Sequence, residues 1–172
     1  MKSLVVYESW FGNTWRIAER VAAGLAGESE VEVVSVDDPM PPLHQVDLLV
    51  LGAPTHVHGL SSVRSRRGAI EQHGGAGEAG IGARGWIAKL PLCGGPRVAV
   101  FDTRAHKAEL LAGSAAQGME RRLKRRGYRP IAEPESFFVQ GTPGPLEEGE
   151  LERAEAWGKT LASELTRPAV MI

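Results

Sequence analysis

The chain has 172 residues, 42% of them hydrophobic and 24% charged, with a formal net charge of −1. That length suffices for one domain with a sizeable core, and the near-neutral charge supplies no overall field for nucleic acid or a membrane surface. Cys93, the sole cysteine, excludes an internal disulfide and a multi-cysteine metal site, while no apolar run approaches the ~20 residues needed to span a bilayer.

The first segment, Lys2 to Tyr7, predicts a strand buried on both faces, because Leu4, Val5 and Val6 are consecutive. One lysine precedes it and no signal-peptide pattern is visible, so the chain reads as cytoplasmic. A helix is predicted from about Asn13 to Ala26, with Ile17, Val21 and Leu25 on one stripe and Gly27 at its end. "VEVVSV", Val31 to Val36, predicts the second strand, and Val46 to Gly52 the third. From Ser61 to Gly95 the pattern loosens. "EQHGGAGEAGIGARG" reads as a flexible glycine-rich loop, an insertion or lid, before a short helix around Trp86 to Leu90. Arg97 to Phe101 predicts the fourth strand, and Gly113 to Arg126 a helix with Met119 and Leu123 inside. A fifth strand, interrupted at Pro134, lies in "YRPIAEPESFFV". A closing helix follows in "GPLEEGELERAEAWGKTLASEL", with Leu146 near its start and Leu151, Ala154, Trp157, Leu161 and Leu165 inward.

Five buried strands alternating with helices imply one domain: a doubly wound, parallel α/β sheet covered on both faces. Ligands bind such sheets beyond the carboxyl ends of the strands, where the winding reverses. Three loops therefore matter, Glu8–Asn13, Ala53–Leu60 and Asp102–His106. The first, "ESWFGNT", opens a helix whose leading N–H groups lack partners and carry partial positive charge, an arrangement suited to phosphate. Ser9, Asn13 and Thr14 offer neutral donors, and Gly12 lets the backbone approach closely. No cation lies among them and no Gly-Lys-Ser/Thr ending follows, which favours a small phosphate monoester over a nucleoside triphosphate. Helix capping by Asn13 or Thr14, with Ser9 as a turn residue, is the simpler alternative for each residue taken alone.

"YESWFGNTWRIAERVA" resembles the phosphate loop of flavodoxins, and "LGAPTHVHG", Leu51 to Gly59, is similar to the flavodoxin loop after the third strand. "VFDTR", Val100 to Arg104, stands where that family's third flavin-contacting loop follows the fourth strand. The resemblance implies a flavodoxin-like fold with five strands and non-covalently bound FMN. Ser9, Trp10, Phe11, Gly12, Asn13 and Thr14 would lie at the phosphate and Pro54, Thr55, His56 and Gly59 along the isoalloxazine. Asp102, Thr103 and Arg104 would lie at its other edge. Phe11 replaces a hydroxyl residue of the family pattern, and the third loop has no aromatic except His106. The implied activity is electron transfer with a redox partner protein, without catalytic side chains. An NAD(P)H:quinone-type oxidoreductase and a flavin-free interaction module are the alternatives.

The remaining signals are weaker. "GAGEAG", Gly75 to Gly80, fits a dinucleotide fingerprint but lacks the flanking strand and helix. His56 and His58 have no cysteine or carboxylate partner, so no metal is expected and His56 is assigned a hydrogen bond within its loop. Arg64, Arg66 and Arg67, and likewise "RRLKRR", read as solvated faces; the first cluster could alternatively meet an acidic redox partner or the phosphate of NAD(P)H. Neither run carries interleaved aromatics, so no nucleic acid is expected. Arg104 is the candidate cation for raising a flavin's potential.

Overall fold

The computed structural model describes residues 1–56, 59–73, 80–92, 94–106, 113–141 and 143–167. Five strands form the parallel sheet: β1 (Lys2–Tyr7), β2 (Glu30–Ser35), β3 (Leu48–His56), β5 (Arg97–Ala105) and β6 (Glu135–Val139), in the order β2-β1-β3-β5-β6. A two-residue strand, β4 (Gly59–Leu60), folds back antiparallel on Thr55 and His56. Leu4 pairs with Leu49 and Leu49 with Val98, so the apolar runs lie in register at the centre.

Successive residues of those runs serve opposite faces, which is why the runs are continuous. Val5, Leu48, Val50 and Ala99 pack under α1 (Asn13–Leu25) and α5 (Glu150–Thr166), with Ile17, Val21, Leu161 and Leu165. Leu4, Val6, Leu49 and Leu51 pack under α3 (Gly82–Ala88) and α4 (Ala115–Arg125), with Trp86, Met119 and Leu123. The winding reverses between β1 and β3, so their carboxyl ends mark the expected ligand crevice. On the first face α1 and α5 meet backbone to backbone. A Cβ added to Gly24 would lie 2.9 Å from the Gly158 Cα and 2.8 Å from the Lys159 nitrogen, so only glycines permit this approach. Phe101, Phe137 and Trp157 form an edge-to-face trio beside it, with centroids 5.8–6.1 Å apart.

Three expectations change. Val63–His73 is a helix, α2, where the loosened segment begins, and α3 already starts at Gly82. The start of α2 is a reciprocal cap: Ser62 Oγ accepts the Ser65 N–H at 3.1 Å, and Ser65 Oγ accepts the Ser62 N–H at 2.8 Å. Second, β3 and β5 run on to His56 and Ala105, because β4 and β6 supply partners for those residues. Third, α5 begins at Glu150. Leu146 instead pairs with Val139 as an isolated bridge, with the Glu147 N–H donating to the Phe138 carbonyl. Pro143 and Pro145 suit this extended return and not a helix. Cys93, His58 and most of "GAGEAG" lie outside the described residues. No helix among the described residues is long and apolar enough to cross a membrane.

Candidate functional site

A cleft of about 840 Å³ opens at the carboxyl ends of β1, β3 and β5, within the usual size range of small-molecule and cofactor sites. Ser9, Trp10, Phe11, Asn13 and Thr14 line it from the first loop, Pro54, Thr55, His56 and Gly59 from the second, and Thr103 and Arg104 from the third. The strand order brings these three segments together although nearly a hundred residues of sequence separate the first from the third.

The first loop turns into α1 through Gly12, whose φ of 84° is left-handed and therefore suits glycine. Ser9 Oγ accepts the Trp15 N–H at 3.2 Å and so caps the helix from outside its first turn. The next orphan donors remain. Among the described residues no acceptor meets the backbone N–H groups of Asn13 or Thr14. An α-helix start with two such amides on the cleft wall, and no carboxylate in its first turn, has the dipole and donor geometry that suits an anion.

The side chains divide differently from the expectation. The Asn13 amide donates to the Pro143 carbonyl at 2.7 Å, tying the loop to the return after β6. Thr14 Oγ1 lies 2.7 Å from Thr103 Oγ1, a buried bond that joins the first loop to the third. Both therefore hold loops in place, which leaves the main-chain amides and the Ser9 hydroxyl as donors. Asp102 is wholly buried and does not line the cleft. Its Oδ2 accepts from Thr55 Oγ1 at 2.8 Å, Ser114 Oγ at 2.5 Å and the Ala116 N–H at 3.1 Å. Ser114 in turn caps α4 by accepting the Gln117 N–H, and the Ala115 N–H donates to Thr55 Oγ1. Asp102 thus braces the start of α4 behind the cleft, where a carboxylate complements the helix dipole.

A second buried network was not foreseen. Glu8 is buried, and its Oε1 accepts from Ser61 Oγ at 2.6 Å and from the Trp10 indole at 3.0 Å, while Oε2 accepts the Ala83 N–H at 2.8 Å. Arg66 is buried as well and donates to Ser61 Oγ at 2.9 Å, so the expected solvated cluster of Arg64, Arg66 and Arg67 loses its middle member to the interior. The tie fixes Trp10, whose ring meets His56 edge-on at 5.1 Å. The expected loop hydrogen bond of His56 is not seen at Nε2, which is buried and meets no partner among the described residues. Burial lowers the His56 pKa, Glu8 opposing the shift and Arg66 adding to it, so the ring is held neutral. Serine beside a helix start and a glutamate ending a strand were the only sequence signals of this network.

At the third loop the Arg104 guanidinium stands 6.0 Å from the Phe138 ring, over the same ring that His106 stacks on at 3.9 Å. His106 Nε2 also meets Glu147 at 3.0 Å. The cleft continues past the three loops along one face of α2, lined by Ser62, Ser65, Gly68 and Gln72, with Arg84 from α3. No group of three or more metal-ligating side chains occurs among the described residues.

Residues 4–67 match a flavodoxin domain family model, a span that holds the first loop, β3 and the start of α2. No curated protein matches by sequence. Solved structures match over nearly the whole chain. A flavodoxin from the domain Archaea is 17% identical with a TM-score of 0.67, covering 97% of this chain and 100% of its own. Oxidised flavodoxin 2 from Bacillus cereus is 23% identical with a TM-score of 0.64, covering 95% of this chain and 99% of its own. Two-electron reduced flavodoxin from Megasphaera elsdenii is 19% identical with a TM-score of 0.59, covering 94% and 98%. At such identities the structures speak for the fold. Together with the strand order, they show that the chain has a flavodoxin-like fold, within which residues 4–67 match the flavodoxin domain family.

Proposed function

We propose that this chain binds FMN non-covalently and passes electrons between redox partners. The observation that carries the reading is the pair of unmet amides, Asn13 and Thr14, at the start of α1 on a cleft large enough for a cofactor. Residues and group fit: a phosphate dianion would receive those two N–H groups, the Ser9 hydroxyl and the positive end of the helix without a lysine or arginine. Phe11, exposed where the family pattern has a hydroxyl, leaves more of this task to the main chain.

Trp10, Pro54, Thr55, His56 and Gly59 would border the ring system, and Thr103 and Arg104 its other edge. FMN, when bound, supplies one- and two-electron transfer, and the protein sets its position and potential. Trp10, held by Glu8, and the neutral His56 keep this wall in one arrangement and exclude water. Arg104 at the cleft edge would favour the reduced, anionic ring and raise the potential above that of a carboxylate-lined site.

Absorbance of the purified protein, before and after addition of FMN, tests the reading. Expected is a perturbed flavin spectrum with FMN bound at least about tenfold tighter than riboflavin, a difference of roughly 1.4 kcal/mol assigned to the phosphate. Riboflavin bound as tightly as FMN, or no binding of either, would overturn it. One observation favours a second reading, an NAD(P)H:quinone-type oxidoreductase: the cleft extends along the small, polar face of α2, where a second substrate would sit. Steady oxidation of NADH or NADPH with a quinone and no added reductase would select that reading.

A further inference from the structure

Arg84 of α3 and Arg121, Arg122 and Arg125 of α4 lie near one another on one flank of the domain, with Arg84 at the cleft. Arg84 lines the cleft, and its Nη2 donates to the Leu60 carbonyl at 3.3 Å. Leu60 also packs on α4, since a Cβ on Gly118 would lie 3.0 Å from Leu60 Cδ1 and 3.6 Å from Arg122 Nη1. Arg122 Nη1 donates to the Gly118 carbonyl at 2.9 Å, and Arg125 Nε to the Arg121 carbonyl at 3.2 Å. Arg126 bonds the Leu90 carbonyl and so ties α4 to the end of α3. Arg84, Arg121 and Arg125 are exposed and Arg122 is half-buried.

Among the described residues no carboxylate pairs with any of these four; the neighbouring Glu120 is engaged with Lys124 at 2.9 Å. Their mutual repulsion is felt. Arg122 is held below the ordinary guanidinium pKa, by partial burial first and then by Arg84, Arg125 and Arg121. Four like charges bonded only to neutral carbonyls, with no carboxylate partner among the described residues, raise the energy of the free protein, and an opposite surface relieves that cost on contact.

We propose that this arginine cluster is the docking surface for an acidic electron-transfer protein, which it seats against the rim of the cleft. The charges spread over two helices, with only Arg84 reaching inside, and this matches an extended acidic surface better than a small anion. Electron-transfer contacts are small and transient, so steering by a few uncompensated charges is a suitable basis for them. The net charge of −1 means that this attraction is local. The partner's cargo rests on the electron-transfer reading; the docking itself does not.

The test is calorimetric titration of the full chain with a plant-type [2Fe–2S] ferredoxin, a strongly acidic protein, and separately with cationic cytochrome c and a short DNA duplex. Titrations at about 0.01 M and about 1 M ionic strength span Debye lengths of roughly 30 Å and 3 Å. Expected are ferredoxin binding at low salt, loss of affinity of at least about tenfold at high salt, and no cytochrome c binding. The double variant Arg121→Gln/Arg125→Gln, whose side chains are exposed, weakens ferredoxin binding about fivefold or more. Absence of ferredoxin binding at low salt, indifference to salt, or undiminished binding by the variant would overturn the proposal. So would tighter binding of the duplex, which would assign the patch to nucleic acid. Ferredoxin binding as expected by a chain that takes up no FMN supports the docking surface and removes the flavin reading alone.

Discussion

Replacing Asp102 with alanine removes a carboxylate oxygen on which three donors converge: Thr55 Oγ1, Ser114 Oγ and the Ala116 N–H. The site is wholly buried, so water does not take over. Each charge-assisted bond contributes roughly 1.5–3 kcal/mol, but losses within one network do not add, and removing a buried charge recovers part of its desolvation cost. The net expectation is a loss of about 3 kcal/mol, which for a domain of this size lowers the melting temperature by roughly 6–12 °C. Asp102→Asn separates charge from geometry. Its amide oxygen can take the position of Oδ2 while the nitrogen takes that of Oδ1, which meets no partner among the described residues, so the loss falls to about 1–2 kcal/mol. Thermal and urea denaturation followed by circular dichroism provide the measurement. A melting temperature within about 1 °C of the parent in Asp102→Ala would refute the assignment of this residue as the brace of α4.

Gly158→Ala forces a methyl group into the backbone of α1 and is expected to cost about 1–3 kcal/mol or more, read as a lower urea midpoint; an unchanged midpoint would show that the helices separate freely. Glu8→Gln turns a donor either toward the Ala83 N–H or toward Ser61 and Trp10, which share Oε1, with an expected loss of about 1–3 kcal/mol and, in the second orientation, a shift in tryptophan emission. The pH dependence at His56 has a definite sign. Its folded pKa lies below the ordinary value of 6.5, so in the window beneath 6.5 the unfolded chain holds a proton that the folded chain does not. Stability therefore falls as pH falls through that window and is fully restored above it. His56→Gln should flatten that slope in urea midpoints measured between about pH 8 and pH 5.

The sheet was legible because its strands are apolar on both faces: Leu4 and Leu49 serve one layer while Val5 and Val50 serve the other. The cleft was legible from Gly12 and the residues around it, since a glycine between a buried strand and an amphipathic helix constrains what the turn can do. What stayed hidden was long-range and polar. Nothing in "RSRRGAIEQH" has apolar periodicity, so α2 could not be read without the Ser62–Ser65 cap and the burial of Arg66 beside Ser61. The roles of Asn13, Thr14 and Asp102 depend on Pro143, Thr103 and Ser114, partners that sequence distance conceals. Their side chains looked like ligand donors because the same atoms that hold an anion also hold loops together.

The contact between Gly24 and Gly158 reaches the cleft by leverage. α1 is a rod of 13 residues, about 20 Å long, with the amides of Asn13 and Thr14 at one tip and Gly24 near the other. A bulge at the far tip would tilt the near one, so substitutions at these two glycines should weaken the FMN binding proposed above although neither touches the cleft.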